Sequence, residues 1–187
     1  LKLLPRMESG FGCCGSPADI DDARRVAEKL GIPHYTLDLS ETFEEQVILP
    51  FVAAYRSGRT PNPCVECNRG LKFGRLLSLC GTFGAEILAT GHYARVKRGR
   101  LLRPKDLDKD QTYFLYSLTS EQLRRTQFPL GELTKPEVRA KAKALGLTVA
   151  EKPESQEICF VPRRDYRGFL ASRDGESQQP GPIRDVQ

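Results

Sequence analysis

Apolar residues in this chain recur at two spacings, and the alternation between them lays out the elements. Residues 1–4 form a short apolar run that predicts a buried strand, and residues 6–16, rich in Gly and Cys, predict a loop. Ile20, Ala23, Val26, Ala27 and Leu30 fall on one face at helical spacing, with Gly31 and Pro33 supplying the stop. Residues 34–39 read as a second strand. Ser40 opens a second helix that carries Phe43, Val47, Phe51 and Ala54 inward, and Pro50 within it predicts a kink or an early break. Residues 58–68 contain Pro61 and Pro63 and predict a loop, with Asn68 as the N-cap of a third helix. The inner face of that helix is Phe73, Leu76, Leu77, Cys80 and Phe83. Residues 86–90 form a further short strand that ends at Gly91-His92.

The order strand, helix, strand, helix, helix, strand predicts an α/β fold, a parallel sheet flanked by helices. Ligands of such sheets sit beyond the carboxyl ends of the strands, where Gly91 and His92 fall. Residues 93–96 and 101–102 predict a hairpin, residues 106–111 a charged loop, and residues 112–118 an aromatic-rich stretch. Thr134-Lys-Pro-Glu137 reads as a capping box opening a helix through Leu145, with Gly146 as its stop. The pattern divides the chain into an α/β unit over 1–118, a small, mostly helical domain over 119–172 and a polar linker over 173–187. It contains no internal repeat.

Composition narrows the class. With 187 residues, 39% of them hydrophobic, the chain can bury a core of its own. It has no apolar run of about 18 residues, so no transmembrane helix is expected. The first residues are too short an apolar stretch for a secretory signal, and the chain opens on Leu1 rather than Met, as if it began within a longer protein. A net charge of +5 is compatible with a polyanionic partner without demanding one. The six cysteines, in a chain without secretory features, read as catalytic, metal-binding or buried thiols of a cytoplasmic protein rather than as disulfide staples.

Chemistry concentrates in Arg59-Thr-Pro-Asn62-Pro63-Cys64-Val-Glu-Cys67-Asn68. Two prolines stiffen the approach, and a Cys67 at the start of a helix would find free backbone N–H groups that favour its thiolate. The Cys64-x-x-Cys67 spacing equally fits a redox pair, half of a metal site or a plain turn. Cys159, in Ile158-Cys-Phe160, reads by itself as a buried apolar cysteine, and Cys80 as core. Lys109-Asp110-Gln111 is either a solvated loop or a nucleic-acid contact, with Lys on phosphate and Asp or Gln on a base edge. No Walker-type loop is present.

Taken together, these segments resemble the tRNA-specific 2-thiouridylase family. The resemblance rests on Cys13-Cys14 ahead of the first helix, Gly58-Arg-Thr-Pro-Asn-Pro-x-x-x-Cys-Asn68, Ala89-Thr-Gly-His-Tyr93, Lys109-Asp-Gln-x-Tyr-Phe-Leu-Tyr116 and Ile158-Cys-Phe160, spread in family order over nearly the whole chain. It implies an adenine nucleotide alpha hydrolase-like, Rossmann-like fold that uses ATP and Mg2+. ATP would adenylate O2 of the wobble uridine of tRNA, with AMP as the leaving group. Cys159 would carry sulfur as a persulfide delivered by a cysteine desulfurase or a relay protein. Cys67 would be the nucleophilic partner thiol, leaving a Cys67–Cys159 disulfide for an external reductant. The resemblance places Asn62, Pro63 and Cys64 at the target base. It places Gly91 and, near the adenine, Leu1 at ATP, and His92, Lys109, Asp110 and Gln111 at tRNA. The uridine would have to leave its stack to reach Cys67.

The family's Ser-Gly-Gly-x-Asp-Ser pyrophosphate loop would lie ahead of Leu1 and its C-terminal β-barrel beyond Gln187, so the chain reads as a fragment without turnover of its own. Cys64, where many relatives carry Asp, adds a third thiol, and Cys64, Cys67 and Cys159 could hold an iron–sulfur cluster or zinc. Two other readings remain open. One is a ligase or amidotransferase synthetase of the same nucleotide hydrolase superfamily, and the other is a cluster-bearing tRNA-binding fragment.

Overall fold

The computed structural model describes residues 1–4, 16–152 and 158–173. The loop expected over 6–16, including Cys13 and Cys14, and the linker over 173–187 lie almost wholly outside the described residues.

Helix α1 (Pro17–Leu30) begins where Ser16 accepts a hydrogen bond from the Asp19 N–H, and it ends at Gly31, whose φ of 66° suits a residue without Cβ. Of its apolar stripe only Ala27 is fully buried, and Leu30 is exposed. The second helix runs from α2 (Ser40–Phe43) through a π-helical stretch (Glu44–Ile48) into α3 (Leu49–Arg56). The break expected at Pro50 does not occur. Proline has no N–H to donate and its ring crowds the carbonyl one turn back, and the wider π turn just ahead of it relieves that crowding. Phe43, Val47 and Phe51 face inward as the pattern predicts.

The third helix begins six residues earlier than the sequence suggests. Asn62, not Asn68, is its N-cap: the Asn62 carboxamide oxygen accepts from the Cys64 N–H at 3.2 Å and the Val65 N–H at 3.4 Å, and Pro63 occupies the first helical position. From α4 (Pro63–Glu66) the run widens into a ten-residue π stretch (Cys67–Leu76), then continues as α5 (Leu77–Leu79) and a 3₁₀ turn (Cys80–Phe83). Gly70 faces the second helix so closely that a Cβ there would lie 2.9 Å from the Gln46 carboxamide oxygen.

Strand content is shorter than expected. Residues 34–39 make only an isolated parallel bridge, Lys2 with Asp38. Strand β1 (Leu88–Ala89) pairs in parallel with β4 (Thr126–Gln127), so the segment 119–128 contributes to the sheet as well as to the short helix α6 (Ser120–Arg124). Strands β2 (Arg95–Lys97) and β3 (Arg100–Leu102) form the expected hairpin, closed by Arg98 and Gly99 at φ of 52° and 70°, the left-handed pair of a type I′ turn. Helix α7 (Lys135–Ala144) carries the predicted Thr134/Glu137 capping box, and Gly146 ends it. Helix α8 (Tyr166–Arg173) closes the described chain.

Two hydrophobic clusters result. The first gathers Leu3, Leu39, the inner face of the second helix, Cys67 and Leu71, and takes Phe160, Val161 and Phe169 from the C-terminal part. The second gathers Phe73, Leu77, Cys80, Leu88, Ala94, Leu115, Leu118, Leu123 and Phe128. Gly131 seals the edge of the second: a Cβ there would meet the Ala94 carbonyl oxygen at 1.9 Å, a backbone atom that cannot yield. Gly131→Ala should therefore cost about 1–3 kcal/mol, read as a lower midpoint in urea denaturation.

Candidate functional site

One cavity of about 550 Å³ lies where the two clusters meet. The helix from Pro63 supplies Pro63, Cys64, Cys67, Asn68 and Lys72. The turn after β1 supplies Gly91, His92 and Tyr93. The segment after the hairpin supplies Asp108 to Gln111 and Phe114, and the C-terminal part supplies Ile158, Cys159 and Phe160. Cys67 and Cys159, far apart in sequence, thus face one space together with Lys109, Asp110 and Gln111. Leu1 does not line it and packs against the first cluster instead. Asn62 does not line it either, its side chain being engaged in the cap.

The argument that Cys67 draws a thiolate from a helix start does not survive. Cys67 is a full turn inside the helix and 8% exposed, beyond the first turn where the dipole acts. Cys64 holds that first-turn position. The cation that the same helix offers the cavity is Lys72, which the sequence reading missed. At α-helical pitch a residue five positions on points about 140° away. In a π stretch, with i→i+5 bonds, it lies one turn on, so Cys67 and Lys72 share the cavity face. The π geometry hides this pairing from α-helical periodicity, and no local motif announces it.

Asn68 is 2% exposed, and its Nδ2 donates to the Phe114 carbonyl at 3.0 Å. Its Oδ1 is buried with no hydrogen-bond partner among the described residues. Asn68 therefore braces the cysteine helix against the segment that carries the Lys109–Gln111 triplet. Gln111 is held twice by Tyr93: its Oε1 accepts from the Tyr93 N–H at 2.8 Å, and its own N–H donates to the Tyr93 carbonyl at 3.0 Å. Asp110 accepts from the Thr112 N–H and hydroxyl and from Arg103 Nε at 2.6 Å. Burial alone would raise its carboxyl pKa, but these hydrogen bonds prevail and hold it below the ordinary value. Asp110 thus fixes the loop, and Gln111 keeps its amide N–H groups for the cavity.

His92 is packed between Phe73 and Phe128, with its Nδ1 2.8 Å from the Thr90 hydroxyl. Burial pushes its pKa down to about 3, and the Lys72 ammonium adds to the shift. The imidazole is neutral at physiological pH, so it serves as a hydrogen-bonding and stacking group rather than as a cation for phosphate. Lys72, Lys109 and Lys135 bring positive charge to the cavity.

Cys64, Cys67, Cys80 and Cys159 are thiols here, and the disulfide expected between Cys67 and Cys159 is not formed. Among the described residues no group of three or more His, Cys, Asp or Glu side chains is arranged to hold a metal ion. Cys64, Cys67 and Cys159 therefore make no three-ligand group for zinc or an iron–sulfur cluster. No described helix is long and apolar enough to cross a membrane.

Helices around a parallel strand pair, with a thiol-lined, cationic cavity beyond the strand end, make an α/β domain whose cavity lies where parallel sheets bind their ligands. The chain belongs to the family described as tRNA methyl transferase HUP domain, which it matches over residues 3–163. It is 56% identical over 180 residues to the tRNA-specific 2-thiouridylase MnmA of Geobacter metallireducens, covering 94% of this chain and 49% of that protein. It is 53% identical over 194 residues to the MnmA of Heliobacterium modesticaldum, covering 99% and 50%. With the MnmA of Carboxydothermus hydrogenoformans it shares 53% over 186 residues, covering 96% and 50%. The chain spans about half the length of these relatives.

The neutral His92 has a consequence for stability. Between pH 6.5 and about 3 the unfolded chain binds a proton at this residue that the folded chain refuses, so stability falls as pH falls through that window. His92→Gln removes this contribution. The stability gap between wild type and variant should shrink by about 2 kcal/mol from pH 7 to pH 5, measured by urea denaturation at the two values.

Proposed function

We propose that this chain carries the sulfur-transfer site of an ATP-dependent tRNA 2-thiouridylase, acting at C2 of the wobble uridine. The observation that carries the reading is the convergence of Cys67 and Cys159 on one cavity with Lys109, Asp110, Gln111, Gly91 and His92. The names of the relatives that share over half of its residues support it.

In this reading O2 of the uridine attacks the α-phosphorus of ATP and releases pyrophosphate, which makes AMP the leaving group. Gly91, which lines the cavity, would face the nucleotide. Cys159 arrives as a persulfide, loaded by a sulfur-donor protein. The terminal sulfur attacks C2 and AMP leaves, giving a base joined to Cys159 through a disulfide. The Cys67 thiolate then attacks the Cys159 sulfur. The electron pair of the broken S–S bond passes to the base, which becomes 2-thiouridine, and a Cys67–Cys159 disulfide remains for an external thiol to reduce. Pro63 and Cys64 wall the space beside Cys67 that the flipped base would enter, while Asn62 sets their position as the cap. Lys109 and Gln111 face the same space and suit phosphate and base contacts respectively. The wider enzyme's ATP and Mg2+ use, its sulfur donor and its cytoplasmic setting belong to this proposal. A ligase of the same superfamily would have no need of two thiols in the cavity.

In the longest natural form of the protein, supplied with ATP, a persulfide donor (a cysteine desulfurase with free cysteine), a thiol reductant and unmodified tRNA, Cys67→Ser and Cys159→Ser should each abolish 2-thiouridine while leaving tRNA affinity within about twofold. Nucleoside mass spectrometry reads the product, and normal 2-thiouridine from either variant would refute the mechanism. Lys109→Ala should instead weaken tRNA binding and reduce the slope of log K against log salt by about 1.

A further inference from the structure

Tyr113 and Tyr116 are 67% and 69% exposed, yet the segment that carries them is tied to the fold at several points. The 3₁₀ turn Thr112–Phe114 and the turn after it place residues three apart on one side. Leu115 and Leu118 therefore point together into the second cluster, and Tyr113 and Tyr116 point together outward, their ring centroids 6.2 Å apart at 44°. The segment is held at its start by the Asp110–Thr112 bonds, in its middle by Asn68 Nδ2 on the Phe114 carbonyl, and below by the two buried leucines. Both rings are thus presented to solvent at a fixed position, with the ordering cost already met within the fold.

We propose that Tyr113 and Tyr116 form a stacking platform for the unpaired bases that flank the target nucleotide, a reading that rests on the tRNA assignment above. Three features of this surface favour RNA bases over an apolar protein partner. The rings belong to the segment that brings Phe114 and the Lys109–Gln111 triplet to the cavity, and the Tyr113 ring lies 5.7 Å from that of Phe114, so a strand whose target base is in the cavity has them within reach. The neighbouring cavity cations Lys72, Lys109 and Lys135 complement a phosphate backbone. Two exposed aromatic rings match a base face at low cost, since stacking needs no shape-specific pocket. The 6.2 Å separation is too narrow to admit a base between the rings, so bases stack on their outer faces.

The test is equilibrium binding of a 17-nucleotide-scale anticodon stem–loop RNA (about that length, by design) to the 187-residue chain across a salt series. Tyr113→Leu and Tyr116→Leu should each weaken binding at least about fivefold with an unchanged salt slope, whereas Tyr113→Phe and Tyr116→Phe should stay within about twofold of wild type. The chain contains no Trp, so its tyrosine emission is directly observable. RNA should quench that emission in wild type and quench it less in the double Leu variant. Thermal melting checks that the Leu variants remain folded, and the Phe variants report on stacking in any case. Leu variants that bind like wild type, or Phe variants that lose as much as Leu, would overturn the platform while leaving the tRNA reading intact. A wild-type chain with no affinity for the stem–loop would overturn the platform, while the tRNA reading stands or falls on 2-thiouridine formation in the longer protein.

Discussion

A single helical run belongs to both hydrophobic clusters. Cys67 and Leu71 are committed to the first, Phe73, Leu77 and Cys80 to the second, and the cavity opens beside the residues where the helix passes from one to the other. This double membership fixes the site. A straight α-helix presents one stripe of about 100° to one core. The ten-residue π stretch turns the face more slowly, so residues only a few positions apart reach two different partners while Cys67 and Lys72 stay on the cavity side. Gly70 faces the second helix, where a Cβ would press on the end of the Gln46 side chain.

Around that helix the polar bonds do the work of orientation. Asn62 starts it, Asn68 ties it to the Phe114 carbonyl, and Gln122 Nε2 donates to the Phe73 carbonyl at 2.9 Å. Each links the helix to a segment distant in sequence or fixes its first turn, and together they hold the Lys109–Gln111 triplet opposite the cysteines. A buried amide such as Asn68 costs several kcal/mol unless it is bonded. Its position is explained by the bond its nitrogen makes, and the unsatisfied oxygen is the residual cost of that brace.

How much of this the sequence disclosed depends on how local each signal is. The capping box at Thr134, the hairpin turn at Arg98-Gly99 and the ends of α1 are set by residues within a few positions of each other, and they were legible. The helix start was misplaced because two asparagines compete for it, although Pro63 at the first helical position favoured Asn62. Strand β4 carries two polar-leaning residues, and its partner β1 lies far upstream, so nothing local marks it. The candidate site was legible chiefly through its resemblance to a family. Spacing alone leaves Cys159 an apolar core residue, and Lys72 is invisible to any reading that assumes 3.6 residues per turn.

The burial of His92 has a further meaning for the chemistry next to it. An imidazole that stays uncharged down to about pH 3 keeps one N–H donor and one acceptor nitrogen wherever cells operate. A side chain whose ordinary ionisation straddles neutrality is thereby held in one charge state inside the cavity. Modest acidification therefore leaves this wall of the cavity uncharged, and the hydrogen bonds that His92 offers a ligand stay the same across the range in which cells live.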